Sequence, residues 1–257
     1  MSKLVNLLAV TAVSSISCSS CFGLHDQDNF FSIGVDGFRD DSKISIHEEK
    51  ITGKDKGYGL SLGHTYYGSD FFTDISARGL IGKDKSDLEP GENVEKLKKL
   101  EASIKLGLSF NLCDRVTLHP YTGIHYSQSR YKQDSSRSSL GERSILKSGY
   151  LPVGLHIRFI DNDFSMSSSV EYARSIMAKH LTKEDKTGNT VKLNGLSYNS
   201  YKASISLGYK DIALSPYIKY EKGKVKNLLI GSGGNSYNLG RNSLKSREIG
   251  VKVSYLF

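Results

Sequence analysis

His125 and Ser127 lie two residues apart in a stretch that alternates like a strand, so both side chains leave the same face. An imidazole beside a hydroxyl is the minimal pair for nucleophilic catalysis, because the ring can take the proton as the oxygen attacks. Glu142, further along, is the carboxylate that could orient such a ring. The alternative is a polar pair that simply faces water, and the sequence favours it. His119, His125 and His156 on neighbouring strands could offer imidazoles to a metal, but no thiolate or carboxylate clearly completes a ligand set. Of three cysteines, Cys18 and Cys21 fall in the apolar leader and Cys113 stands alone, which makes neither a disulfide framework nor a metal cluster. No cofactor and no metal is implied.

A second group of chemistry-bearing residues is larger. Asp36, Asp74, Arg78, Glu101, Lys105, Arg158, Glu171, Lys202, Lys219, Glu221 and Lys252 all sit on the polar side of alternating segments. If that side faces a narrow barrel interior, the charges must either pair across it or line a small pore. Bulky Tyr121, Tyr217 and Phe38 on the same side favour the plugged arrangement.

The third group is basic. The chain carries a formal net charge of +8. The stretch Lys222 to Arg247 holds Lys222, Lys224, Lys226, Arg241, Lys245 and Arg247 and no acid. It contains Gly231–Ser232–Gly233–Gly234–Asn235, the composition of a mobile linker. Read as a loop, it is a solvated hairpin or a site for polyanions such as sulfated glycans or lipid phosphates. Nucleic acid is not indicated, since only Tyr237 offers a base-stacking ring there.

The elements that must position these residues are strands. In Lys96–Leu112, residues Leu100, Ala102, Ile104, Leu106, Leu108, Phe110 and Leu112 share one face, with Glu101, Ser103, Lys105 and Gly107 on the other. A spacing of two over that length excludes a helix. The closing segment Ser246–Phe257 alternates likewise, with Ile249, Val251, Val253, Tyr255 and Phe257 apolar. About ten such strands are predicted. Tight turns at Gly68–Asp70, Cys113–Asp114, Asp161–Asp163 and Lys210–Asp211 alternate with long polar links at Asp40–Lys56, Lys83–Glu95, Lys132–Ser144, His180–Ser197 and Val225–Lys245.

Met1–Ser2–Lys3 followed by the apolar run Leu4–Ile16 and small residues to Gly23 has the form of a secretory leader, too short to span a bilayer. The expected organisation is a signal peptide over residues 1–23 and one β domain over 24–257. Alternation alone fits a soluble lipocalin-like barrel or a membrane barrel of opposite polarity. The leader, the terminal Phe257 and the strict alternation of turn and link lengths decide for a closed, antiparallel, all-β transmembrane barrel with short periplasmic turns and long outer loops. Tyr66, Tyr67, Tyr121, Tyr126, Tyr209, Tyr217, Tyr220 and Tyr255, near strand ends, are expected to form its aromatic girdle.

Through Gly149–Phe159 (GYLPVGLHIRF), Leu214–Val225 (LSPYIKYEKGKV) and the closing REIGVKVSYLF, the chain resembles proteobacterial outer-membrane β-barrel surface proteins of the porin-like or surface-antigen type. That resemblance implies an outer-membrane location in a Gram-negative cell. It implies partners in outer-membrane lipid and in the barrel-assembly machinery, with Val253, Tyr255 and Phe257 as the assembly signal. It also implies a non-enzymatic role through the outer loops, in adhesion or antigen display toward anionic glycans or host surface molecules. A small-solute channel is the alternative. His125–Tyr126–Ser127 is similar to the His-x-Ser of outer-membrane lipid A deacylases, but Gln128 stands where that family has Asn, and ten strands are two too many. An omptin-like protease needs acidic pairs at the outer rim, whereas Asp161 and Asp163 fall in a periplasmic turn.

Overall fold

The computed structural model describes residues 29–257 except 47–48, 87–92, 133–141, 185–189, 232–235 and 238–241. The leader read over 1–23 therefore lies outside the described residues. The described residues form twelve strands: β1 (Asn29–Ile46), β2 (Glu49–Tyr67), β3 (Phe71–Ser86), β4 (Asn93–Leu108), β5 (Phe110–Cys113), β6 (Val116–Lys132), β7 (Glu142–Asp161), β8 (Phe164–Glu184), β9 (Thr190–Tyr209), β10 (Ile212–Gly231), β11 (Ser236–Tyr237) and β12 (Asn242–Leu256). β4 and β5 are one stave interrupted at Ser109, whose N–H turns to the Asp70 carbonyl at 3.0 Å. β11 is a two-residue ribbon on the outer end of β10. Ten staves remain, each antiparallel to its neighbours, and β12 pairs with β1 to close the sheet on itself.

Closure is completed at the last residue. Phe257 and Phe31 exchange both backbone hydrogen bonds, at 2.8 and 3.0 Å, and their rings stack with centroids 6.1 Å apart. Two of the turns at this end use a left-handed residue, Asn162 and Lys210, each at φ 49°. A two-residue hairpin that matches the twist of its strands needs such a conformation. Asn adopts it readily, while Lys210 must be held there by the strands on either side.

The polarity of the barrel is inverted relative to a soluble protein. Leu60, Leu112 and Ile124 are 64, 62 and 60% exposed on the outer wall, whereas Asp36 and Glu248 are 2% exposed inside. In water so continuous an apolar surface would drive aggregation, and in a bilayer it is the solvated face. The protein is a transmembrane β-barrel of the bacterial outer membrane, with the four short turns and the described chain ends at one rim, the periplasmic one.

Two sequence expectations change. Among the described residues, the links Asp40–Lys56, His180–Ser197 and Val225–Lys245, read as loops, are largely paired, while most of Lys132–Ser144 lies outside the described residues. β1 and β2 stay in register out to Ile46 and Glu49, and β9 and β10 out to Thr190 and Gly231, so the staves project as hairpins beyond the apolar band. Polar composition marks leaving the membrane, not leaving the sheet. The predicted girdle also divides. Tyr66, Tyr126, Tyr209, Tyr220 and Tyr255 face outward, but Tyr67, Tyr121 and Tyr217 are buried in the lumen. A register shift between β7 and β8 at Gly149/Tyr150 leaves Ile176 as an extra residue on the outer wall and turns Ala178 inward.

Candidate functional site

Ten staves enclose a lumen narrow enough for side chains from opposite walls to meet. Three tiers fill it. The periplasmic tier is aromatic. Tyr67, Phe72 and Tyr121 form a buried cluster with His119 and His156 among the rings. The Tyr67 hydroxyl meets His156 Nε2 at 2.9 Å, which joins β2 to β7 across the barrel, and the Arg158 guanidinium lies 4.0 Å over the Tyr67 ring. His119 is held between Ser109 and Thr117 at 3.1 and 3.0 Å.

The next tier is a mixed layer. Lys105 pairs with Glu171 at 2.8 Å, and the Tyr121 hydroxyl donates to the same carboxylate at 2.9 Å. Asp74 accepts from Thr65 at 3.2 Å. The Lys202 ammonium lies 5.5 Å over the Tyr217 ring.

The third tier is a belt of ion pairs. Arg78 on β3 reaches Asp36 on β1 at 3.2 Å, Glu101 on β4 at 3.0 Å and Glu248 on β12 at 3.0 Å. Lys99 bridges Glu101 and Glu248 at 3.1 and 2.6 Å. Lys219 on β10 reaches Glu101 at 3.4 Å and Glu221 at 3.1 Å. The Tyr217 hydroxyl donates to Glu248 at 2.9 Å and is met by Arg78. Tyr217 has this place because Gly250, opposite it on β12, has no side chain; a Cβ there would run into the ring. Gly154 makes the same room for Tyr121. Above the belt, the Tyr150 hydroxyl donates to Glu221 at 3.1 Å beneath an apolar lid of Tyr150, Ala173, Ala178, Leu196 and Tyr198.

The structure thus gathers Asp36, Arg78, Glu101 and Lys219 into one network and Lys105, Glu171 and Lys202 into the layer below it. Arg158 goes to the aromatic tier, and Lys252 faces the lumen at the register position of Asp36. Lys99 and Glu248 are central and were absent from the sequence-derived set. Their signal was parity: Lys99 is one same-face step before Glu101, and Glu248 one before Gly250, on faces already assigned.

His125 and Ser127 do face the lumen together, and both are shielded. No hydrogen bond joins them, and His125 Nε2 has no partner among the described residues. The ring lies against Tyr150 instead, at 5.7 Å. Ser127 pairs in register with Ser148, so Glu142 is six positions further up β7, about 20 Å at ~3.3 Å per residue. It cannot orient the imidazole. The histidine trio does not assemble either: His119 and His156 rings are 5.7 Å apart, but His125 is six positions up the same strand as His119. Among the described residues no group of three His, Cys, Asp or Glu side chains is placed to hold a metal. Asp161 pairs with Arg115 at 3.2 Å in the periplasmic turn region.

Of the basic set, Lys222, Lys224, Lys245 and Arg247 are not in a loop. They lie on β10 and β12, exposed on the outer wall, with Lys222 opposite Lys245 in register. The Lys226 side chain and Arg241 lie outside the described residues. Val253, Tyr255 and Phe257 line the outer wall of the closing stave.

No family model matches the chain, and no curated protein matches it. Its fold is similar to the outer membrane protease OmpT from Escherichia coli, with a TM-score of 0.62 at 10% identity, covering 93% of this chain and 99% of that one. Weaker likenesses include the transport unit of the autotransporter AIDA-I from Escherichia coli (TM-score 0.48, 12% identity, 94% and 96% covered). Another is the outer membrane protein OprG from Pseudomonas aeruginosa (0.44, 14%, 89% and 95%). At these identities the likeness is one of fold.

Proposed function

We propose that this outer-membrane barrel is a non-enzymatic, non-conducting surface protein that acts through its outer hairpins, capturing polyanions such as sulfated glycans on the surfaces it meets. The observation that carries the reading is the belt of ion pairs. A lumen tied from wall to wall by short, buried charge contacts leaves no continuous water column for solutes, and removing any one charge from it would strand the others. Chemistry is then left to the outer end, where paired staves rise beyond the apolar band and where β10 and β12 carry Lys222, Lys224, Lys245 and Arg247 with no acid between Lys222 and Arg247. The non-enzymatic part rests on the separation of His125, Ser127 and Glu142, and Ser127→Ala is expected to leave bound lipid chemically unchanged relative to the parent protein.

The test is single-channel recording of the refolded chain in a planar bilayer, with folding checked by heat-sensitive gel mobility. Silence from folded protein supports the reading. Stable, reproducible conductance steps would overturn it in favour of a small-solute channel.

A further inference from the structure

The aromatic tier closes only one side of the periplasmic half of the lumen. Its rings come from β2, β3, β6 and β7, where Phe72 and His119 are 3% and 1% exposed. The staves that face them carry short hydroxyl side chains instead. Ser169 on β8 meets Ser204 on β9 at 2.8 Å, and Ser215 on β10 donates to Ser206 on β9 at 2.8 Å. All four point inward, yet each is only half-buried. A serine reaches a much shorter way from the wall than a tyrosine, so this side stays open to water from the periplasmic rim.

Charge is unbalanced in the same half. Lys105, Arg158, Lys202 and Lys252 face the lumen below the belt, against two carboxylates, Asp74 and Glu171. Two of the lysines stand opposite acids that are already engaged. Lys202 is opposite Glu171 in register, but Glu171 pairs with Lys105 at 2.8 Å. Lys252 is opposite Asp36, but Asp36 takes Arg78 at 3.2 Å. Among the described residues neither Lys202 nor Lys252 forms an ion pair of its own, and the Lys202 ammonium rests 5.5 Å over the Tyr217 ring. An enclosed cation without a counter-charge is costly.

Hydroxyl donors stand beside these two ammoniums. Ser215 is opposite Lys252 in register and donates to Ser206, which leaves the Ser206 proton free. Ser254, one same-face step from Lys252, is 3% exposed, and its Oγ has no hydrogen-bond partner among the described residues. Gly34 opposite it leaves that hydroxyl its space, since a Cβ there would come within 2.7 Å. Ammoniums acting as point charges and hydroxyls donating from several directions suit a small oxyanion with acceptors on every side.

We propose that the serine-lined side of the periplasmic lumen is a binding site for a small oxyanion of the phosphate type, held beneath Tyr217 by Lys202 and Lys252, with Ser206 and Ser254 donating to it. The belt of ion pairs closes the site from above, so the anion enters and leaves by the periplasmic rim and does not cross the membrane. The site is independent of the outer hairpins and of what they capture.

The test is calorimetric titration of inorganic phosphate into the full chain refolded in neutral detergent and chloride-free buffer. The parent protein is expected to bind one phosphate saturably, and Lys202→Gln/Lys252→Gln to bind it about tenfold more weakly, the scale of one lost charge-assisted contact. Ser206→Leu, which fills the space and keeps both lysines, is expected to weaken it as well. The outer-wall variant Lys222→Gln/Lys224→Gln/Lys245→Gln is expected to bind like the parent. Non-saturable uptake by the parent, or equal loss in the outer-wall variant, would overturn the proposal, because binding would then follow net charge alone. Unchanged binding by Ser206→Leu would place the anion elsewhere, and displacement by equimolar chloride would refute an oxyanion site. Should the double variant fail to fold, Lys252→Gln alone carries the comparison, with a smaller loss expected in the same direction.

Discussion

Lys219 on β10 lies 3.4 Å from Glu101 on β4, and those staves are five places apart in a ring of ten. The ion pair spans the diameter of the barrel. A contact of that kind ties opposite walls together through the interior. It also makes Glu101 the hub on which Lys99, Arg78 and Lys219 converge.

Glu101→Gln is expected to leave three buried cations short of a partner and to lower unfolding stability by about 3 kcal/mol, the scale for breaking one side of a buried pair. Urea unfolding followed by gel mobility in a bilayer-mimetic measures it. The same variant is expected to let ions leak in a planar bilayer where the parent is silent.

Gly250→Val is expected to displace Tyr217, which needs the space over that glycine, and to loosen the belt through Glu248 and Arg78. Tyr217→Phe keeps the ring and removes only the hydroxyl. It is expected to cost about 1–3 kcal/mol, a lost hydrogen bond to a charged group. Comparing the two in the same unfolding assay separates shape from hydrogen bonding, with the valine variant the more damaged.

Phe257→Ala keeps both backbone bonds to Phe31 available but removes the ring stacked against Phe31 and Tyr255. Aromatic pairs contribute about 0.5–1.5 kcal/mol beyond burial. The expected result is slower closure, read as a smaller heat-modifiable fraction at a fixed refolding time, together with a loss of folded-state stability on that scale.

For polyanion capture, Lys222→Gln/Lys224→Gln/Lys245→Gln is expected to weaken binding to immobilised heparin by about tenfold or more, and parent binding is expected to fall steeply with added salt, since exposed charges are screened. Unchanged retention by the variant at low salt would remove β10 and β12 from the binding surface.

Cys113, exposed at the end of β5 beside the short turn to β6, reports orientation. In intact cells a membrane-impermeant maleimide is expected to leave it unlabelled, and to label it once the outer membrane is permeabilised. Labelling of intact cells would invert the barrel.

The sequence by itself determined the strands, their inward and outward faces and the alternation of turn and link lengths. A period of two assigns each side chain to a wall without reference to any other strand, which is why Asp36, Arg78, Glu101 and Lys219 could be placed in the lumen one by one. Their mutual contacts were not legible, because Arg78 and Glu248 are 170 positions apart and meet only through closure, register and diameter, which are properties of the whole ring. The same distinction separates two of the readings that changed. Lys222 and Lys245 looked like loop residues because local composition reports contact with water, and only pairing between β10 and β12 shows that they stand on staves. His125 and Ser127 were placed correctly on one face, but Glu142 was a partner in sequence only, since a strand carries a residue six positions away about 20 Å along the wall.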